Sequence, residues 1–407
     1  MYKKHLKECQ PLNNNPKLRF KDKNGNAYPE WEEKKIGDIC KINMGQSPDS
    51  SSYNDNKDGI PLIQGNADIL NRVTFPKRYT NKPTKICEIG SLIMTVRAPV
   101  GYIAKSYHKA CIGRGVCELI PKESTDFLFQ FMQKIEDSWK KIEQGSTFSA
   151  VNRNDIENLR INIPCLNEQE KIAGFLSKVD ELINECEGEV KDLEEQKKGL
   201  MQKIFTQQIR FKDSNNNPYS DWEEKTLYEI TDVRDGTHDS PKYIASGYPL
   251  ITSKNLTKDG KLDFSDISYI SELDFNEINK RSKVHIGDIL FGMIGTIGKP
   301  VLIKEDNFAI KNVALIKNNQ NNINKYLVHY LQSDNILRQF YVEIAGGTQK
   351  FIALGVIRNL IIKLPCLEEQ EKIAKVLSKI DELIEEKKAL LSDWQQFKKG
   401  LLQQMFV

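Results

Sequence analysis

A twenty-residue segment occurs twice in this chain of 407 residues, and that duplication constrains the fold more than any other feature. Residues 164–183 read PCLNEQEKIAGFLSKVDELI and residues 365–384 read PCLEEQEKIAKVLSKIDELI, identical at sixteen positions with an offset of 201. A second duplicated stretch lies upstream of each copy: LRFKDKNGNAYPEWEEKKIGDI (18–39) returns as IRFKDSNNNPYSDWEEKTLYEI (209–230), with Phe20 opposite Phe211 and Trp31 opposite Trp222. A third, QKKGLMQKIF (196–205), returns as FKKGLLQQMF (397–406). Between them lie regions with only faint likeness, such as PLIQGN (61–66) against PLITSKN (249–255) and IGSLIMTVRAPVG (89–101) against IGDILFGMIGTIG (286–298). So long a period excludes a solenoid and indicates tandem duplication of a whole domain followed by a constant segment.

The constant segments read as long helices. In the second copy Ile373, Val376, Ile380, Leu383, Lys387, Leu390, Trp394, Phe397 and Leu401 alternate steps of three and four, an a/d heptad seam. The first copy gives Ile172, Phe175, Val179, Leu182, Cys186, Glu189, Leu193, Gln196 and Leu200. Pro164 and Pro365 block extension of either helix backwards, and Asn167 with Glu170 has capping-box spacing. From Asn167 to Gln208 such a helix is about 60 Å long at 1.5 Å per residue. A helix of this kind needs a partner for its seam, and the partner within reach is its twin. The two are therefore expected to pair as an antiparallel intramolecular coiled coil.

The intervening regions read as mixed α/β domains. Short β-rich runs alternate with Gly, Pro and Asn turns, and each region ends in a helical stretch, 125–142 and 324–344. The predicted fold class is α+β: two tandem mixed α/β domains at 1–165 and 209–363, separated by helices at 166–208 and 364–407. Net charge is +7 over the first domain and +1 over the second, so charge alone suits a polyanionic partner only for the first. No apolar run approaches a membrane span and no secretory signal is visible. Eight cysteines without a CxxC pair argue against zinc and a disulfide framework, and fit a reducing cytoplasm.

Chemistry is hard to find. There is no phosphate-binding GxxxxGK[ST] loop, and GMIGTIG (292–298) lacks the GxGxxG spacing of a dinucleotide site. The five histidines do not cluster with metal-ligand spacing. Two similar domains, two long helices and no catalytic constellation are the anatomy of a recognition adaptor. Here the tandem layout, the PCLxEQEKIA…LSKxDELI segments and GDILFGMIGTIG resemble the DNA-specificity subunit of type I restriction-modification systems.

The resemblance implies that each variable domain is a target-recognition domain reading one half of a bipartite asymmetric site on double-stranded DNA. It implies that the helices act as a spacer and dock two methyltransferase subunits, with two restriction or translocase subunits joining the assembly. This chain would then be non-catalytic and bind no cofactor itself; S-adenosylmethionine, ATP and Mg would belong to the partners. Base contacts are expected from polar loop residues. In the first domain these are Gly45, Gln46, Ser47, Gln64, Asn66, Arg97, Arg114 and Thr147. In the second they are Thr237, His238, Lys254, Asn255, Lys311, Asn312, Thr348, Gln349 and Lys350, with Lys311 taken as the equivalent of Arg114. Glu168, Gln169, Glu170 and Lys171, repeated as Glu369, Gln370, Glu371 and Lys372, are expected to meet the methyltransferase subunits, because a helix seam alone does not require them to repeat. The rival readings are a coiled-coil scaffold with two protein-binding modules, and a stand-alone DNA enzyme, which the absent motifs disfavour.

Overall fold

The computed structural model describes residues 15–145, 150–295, 297–319, 323–344 and 351–407. The chain divides into two compact units, Met1–Glu187 with Ala389–Val407, and Gly188–Lys388. Each unit holds one mixed α/β domain and a pair of helix segments. The first long helix runs from Leu166 to Phe205 and the second from Leu367 to Met405.

In the first domain a six-stranded sheet runs in the order Cys40–Met44, Val116–Pro121, Leu92–Thr95, Ile103–Lys105, Val73–Thr74 and Ile69–Leu70. A five-stranded sheet includes Ile60–Ile63 beside Ala110–Ile112, paired in parallel. The second domain is a reduced version. A four-stranded sheet has the order Val233–Asp235, Val313–Ile316, Ile289–Gly292 and Pro300–Leu302, and a three-stranded sheet pairs Tyr248–Ile251 in parallel with Ala309–Ile310. The first domain's terminal helix, Thr125–Gly145, is continuous. In the second domain the helical stretch expected over 324–344 is broken into Asn324–Tyr330 and Asp334–Ile344, because Ser333-Asp334 is a helix-start signal inside it.

The repeated segments on either side of each variable domain come together. Glu32–Lys35 pairs antiparallel with Arg160–Ile163, and Glu223–Thr226 pairs identically with Ile361–Leu364. Next to each ribbon lies a buried carboxylate. Glu168 is fully buried and accepts from Arg19 Nε at 3.0 Å, Arg19 Nη2 at 2.7 Å and the Trp31 indole at 3.2 Å. Glu369, also fully buried, accepts from Arg210 Nε at 3.3 Å, Arg210 Nη2 at 2.8 Å and the Trp222 indole at 2.9 Å. The lysine three residues on completes the clamp. Lys171 Nζ donates to the Lys21 carbonyl and lies over the Tyr28 ring, and Lys372 does the same with Lys212 and Tyr219. Gln169 and Gln370 each donate to the carbonyl of the proline that precedes the helix, at 2.9 and 2.7 Å. The constant sequence thus repeats because each domain closes with the same set of bonds.

The helix pairing is antiparallel and uses an offset seam. In the first unit Lys398 Nζ lies 2.5 Å from Asp180 Oδ1, and in the second Lys197 Nζ lies 2.6 Å from Asp381 Oδ1. These are the same pair of repeat positions with the helices exchanged. The expected seam is right at Ile172, Val179, Cys186, Ile373 and Leu401, which are buried. Its other half is corrected by one residue. Leu176, Ile183, Val190, Leu377 and Ile384 are buried, whereas Phe175, Leu182, Leu383, Leu390 and Phe397 are exposed. Apolar residues stand on both flanks, so periodicity alone does not choose between them. Lys197 and Lys398 lie on the true seam and disguise it, because their charges are met by aspartates. The first helix also begins at Leu166, with the Cys165 carbonyl accepting from the Glu168 and Gln169 N–H groups, so Asn167 sits inside the first turn and is not its cap.

The C-terminal ends of the helices complete the cores. Phe406 packs against Trp31, Phe127 and Phe131, and Phe205 packs against Tyr326 and Tyr330. If the buried carboxylate organises each domain base, Glu168→Ala strands a guanidinium and an indole N–H, at a cost of about 3 kcal/mol. Glu168→Ala and Glu369→Ala should each lower the urea midpoint clearly, while Glu170→Ala at the exposed neighbour should leave it within error.

Candidate nucleic-acid interface

Three backbone hydrogen bonds build the same corner in both domains. In the first, Gly45 N–H donates to Val116 O, Gln46 N–H to Ile112 O and Gly113 N–H to Ile63 O, at 3.1, 2.9 and 2.8 Å. In the second, Gly236 donates to Val313, Thr237 to Ile310 and Lys311 to Ile251, at 2.9, 3.1 and 2.8 Å. The loops that follow three strands therefore meet at one place. Side chains are excluded at the tightest approach: a Cβ on Gly45 would fall 2.2 Å from the Gly113 carbonyl oxygen. Gly45 thus shapes the corner with backbone atoms.

At this corner the first domain opens a cleft of about 610 Å³. Ser47, Gln64, Asn66, Arg97 and Arg114, all expected from the sequence, line it. Asn66, Arg97 and Arg114 are exposed. Ser47 Oγ accepts from the Arg114 N–H at 3.1 Å and so ties two of the loops together. Gln46 is exposed but lies outside the cleft. Sequence reading missed Ser50 and Tyr53, which also line the cleft. Nothing in the sequence sets Tyr53 apart, because its partner Gln64 meets it only in the fold. Thr147 lies outside the described residues.

The second domain places Thr237, His238, Lys311 and Asn312 at the corresponding corner, but with different chemistry. His238 is exposed and held from both sides, with Nε2 2.8 Å from Asp235 Oδ2 and Nδ1 2.9 Å from Asn312 Oδ1. Asp235 is buried and also accepts from Arg281. The hydrogen bond to Asp235, then that to Asn312, raise the His238 pKa above its ordinary value, against a smaller opposing effect of burial and of Arg281. Asp235 and Arg281 had no signal in the sequence, because the three side chains converge only in the fold.

Two expectations for this domain change. Asn255 is buried, its oxygen accepting from the Thr252 N–H and hydroxyl and its amide donating to the Asp263 and Asp266 carbonyls, so it holds a turn. Lys311 is 8% exposed and donates to Ser240 Oγ at 2.7 Å. It occupies the place of Gly113, not Arg114, because the loop between the two strands is one residue shorter here. Lys254 is exposed, with its ammonium 2.8 Å from Asp266. Thr348, Gln349 and Lys350 lie outside the described residues.

Of the helix tetrads, Glu170 and Glu371 are exposed. Glu168, Gln169, Glu369 and Gln370 are buried, and Lys171 and Lys372 are half-buried over tyrosine rings. Their repetition follows from the clamp, so it does not by itself indicate a docking face. Among the described residues no cluster of metal-ligating side chains occurs, and no helix is long and apolar enough to cross a membrane.

The geometry at His238 fixes a pH dependence. With the folded pKa raised, the bonds of the charged ring to Asp235 and Asn312 are complete below the ordinary imidazole range near 6.5 and are lost as pH rises through the raised value. An NMR titration should place the His238 midpoint above that range, and Asp235→Asn should bring it down. An unmoved midpoint in the variant would remove Asp235 as the cause.

The chain matches the family described as type I restriction modification DNA specificity domain over residues 28–195 and again over 219–392. It is 37% identical over 193 residues to the putative type I restriction enzyme MjaX specificity subunit of Methanocaldococcus jannaschii, covering 46% of this chain and 45% of that relative. It is 26% identical over 409 residues to the MjaVIII specificity subunit of the same organism, covering 94% of both chains. Its fold is similar to the crystal structure of a type I restriction-modification S subunit from M. genitalium, with a TM-score of 0.61 at 16% identity, covering 97% of this chain and 99% of that one. With two matches that together span most of its length, the chain belongs to the type I restriction-modification DNA-specificity family and carries the family's domain twice.

Proposed function

We propose that this chain is the subunit that gives a type I restriction-modification complex its DNA-sequence specificity, each domain reading one half of a bipartite asymmetric site. One observation carries the reading. The same scaffold, closed by the same buried carboxylate, presents unlike side chains at the same corner. Gln64 and Arg114 stand in the first domain where Thr252 and Asn312 stand in the second. Loops that differ on a common frame are where separate specificities are written. Arginine and glutamine in the first corner match donor and acceptor patterns of base edges, and the cationic side chains suit phosphates.

The paired helices are the docking surface for two methyltransferase subunits, and restriction or translocase subunits join through that assembly in the cytoplasm. Exposed Leu182, Leu390 and Phe397 on the helices of the first unit, and Leu383 on the second, support this: they are apolar side chains beside the seam that the helix pairing does not cover. Methyl transfer and cleavage belong to the partners, with S-adenosylmethionine, ATP and Mg bound there. A scaffold that binds only proteins would leave the divergent polar corners without a role.

Two experiments test the reading. Replacing residues 40–160 with the same region of a relative should change one half-site and leave the other intact; if both halves change together, independent reading is wrong. Reversing charge at exposed Glu170 and Glu371 should shift the complex with the methyltransferase subunits to smaller size on a sizing column. The isolated chain should keep its urea midpoint, since exposed charges contribute little to stability. An unchanged complex would move the docking surface elsewhere.

A further inference from the structure

We propose that Tyr53 fixes which base the first domain reads, by locking the Gln64 amide so that it presents its oxygen and one N–H outward, the pattern of adenine's major-groove edge. The inference rests on the reading of the first corner as a DNA interface and deepens it to a base and a positioning residue.

Hydrogen-bond direction sets the orientation of the amide. Tyr53 Oη lies 3.2 Å from the Pro48 carbonyl oxygen, which can only accept. A phenol carries a single proton, so that proton goes to Pro48. Gln64 Nε2 lies 2.7 Å from the same Oη, which can therefore only accept from it. The amide nitrogen is thereby turned towards Tyr53. Oε1 and the second N–H are left for a ligand in the cleft. Adenine offers N6–H as donor and N7 as acceptor, which meet this pair in the bidentate arrangement glutamine makes with it. Guanine offers two acceptors, O6 and N7, one of which would face Oε1.

The backbone of Gln64 is pinned as well. Its N–H donates to Asp68 Oδ2 at 2.7 Å. Its carbonyl oxygen packs against Gly115, where a Cβ would fall 2.1 Å away. Side-chain and main-chain constraints together leave the amide little freedom before DNA arrives, which is the condition for a base contact to discriminate. The second domain lacks the device. Thr252 stands in place of Gln64, and its hydroxyl is spent on Asn255 Oδ1 at 3.0 Å. The two corners are thus built to read different bases.

The test uses the complex of this chain with its methyltransferase subunits and a DNA library randomised across both half-sites, with methylated molecules sequenced. Gln64→Glu presents acceptors only and should switch one position of the first half-site from adenine to cytosine, whose N4 donates. Tyr53→Phe keeps the ring, frees the amide to turn over, and should cut the preference for adenine over guanine at that position roughly tenfold. The second half-site should be unchanged in both variants, which separates the effect from misfolding. If Gln64→Glu moves a position and Tyr53→Phe leaves it at full discrimination, the role of Tyr53 is overturned. If neither variant moves any base, Gln64 is not a reader, although two half-sites persist. If the unaltered complex shows no half-site for the first domain at all, the functional reading fails independently of Tyr53.

Discussion

Each half of this molecule is organised by one buried carboxylate. Glu168 and Glu369 are removed from water, and an ion so placed is tolerated only when its acceptor positions are filled. Arg19 with Trp31, and Arg210 with Trp222, fill them. These donors come from the segment before the variable domain and the carboxylate from the segment after it, so the bonds fasten the two ends of each domain together. Everything between the ends is then free to diverge. The same logic explains why Arg, Trp and Glu recur at matching places while the loops do not.

The helices add a second constraint, direction. A lysine on each seam reaches an aspartate on the other helix, Lys398 to Asp180 and Lys197 to Asp381. Parallel pairing would put like repeat positions side by side and leave these charges without partners near the seam. Polar groups on a coiled-coil seam commonly specify alignment at some expense of stability. The pairs also account for the part of the seam that periodicity misread. The three-four rhythm, the duplication and the helix lengths were legible because they are local and repeated. The flank that becomes buried was not, because Leu383 and Ile384 are both apolar and only the tertiary partner distinguishes them.

The candidate interface was legible in its outline for a similar reason. Ser47, Gln64, Asn66, Arg97 and Arg114 lie in polar turns after β-rich runs, and the strand ends gather them into one cleft. Residues whose role depends on a partner far along the chain were hidden. Asn255 looked like a loop donor until its turn consumed every bond it can make. Lys311 looked like the counterpart of Arg114 until the strand pairing showed a loop one residue shorter. Tyr53 and Asp235 act through hydrogen bonds to Gln64 and His238, and no spacing rule anticipates them.

Two unlike corners on one repeated frame should read two unlike half-sites. Mapping methylated adenines across a host genome with and without this gene tests this most directly. The account expects the loss of one motif made of two different halves at a fixed separation, restored when the gene is returned. Unchanged methylation, or loss of a single contiguous motif, would contradict it.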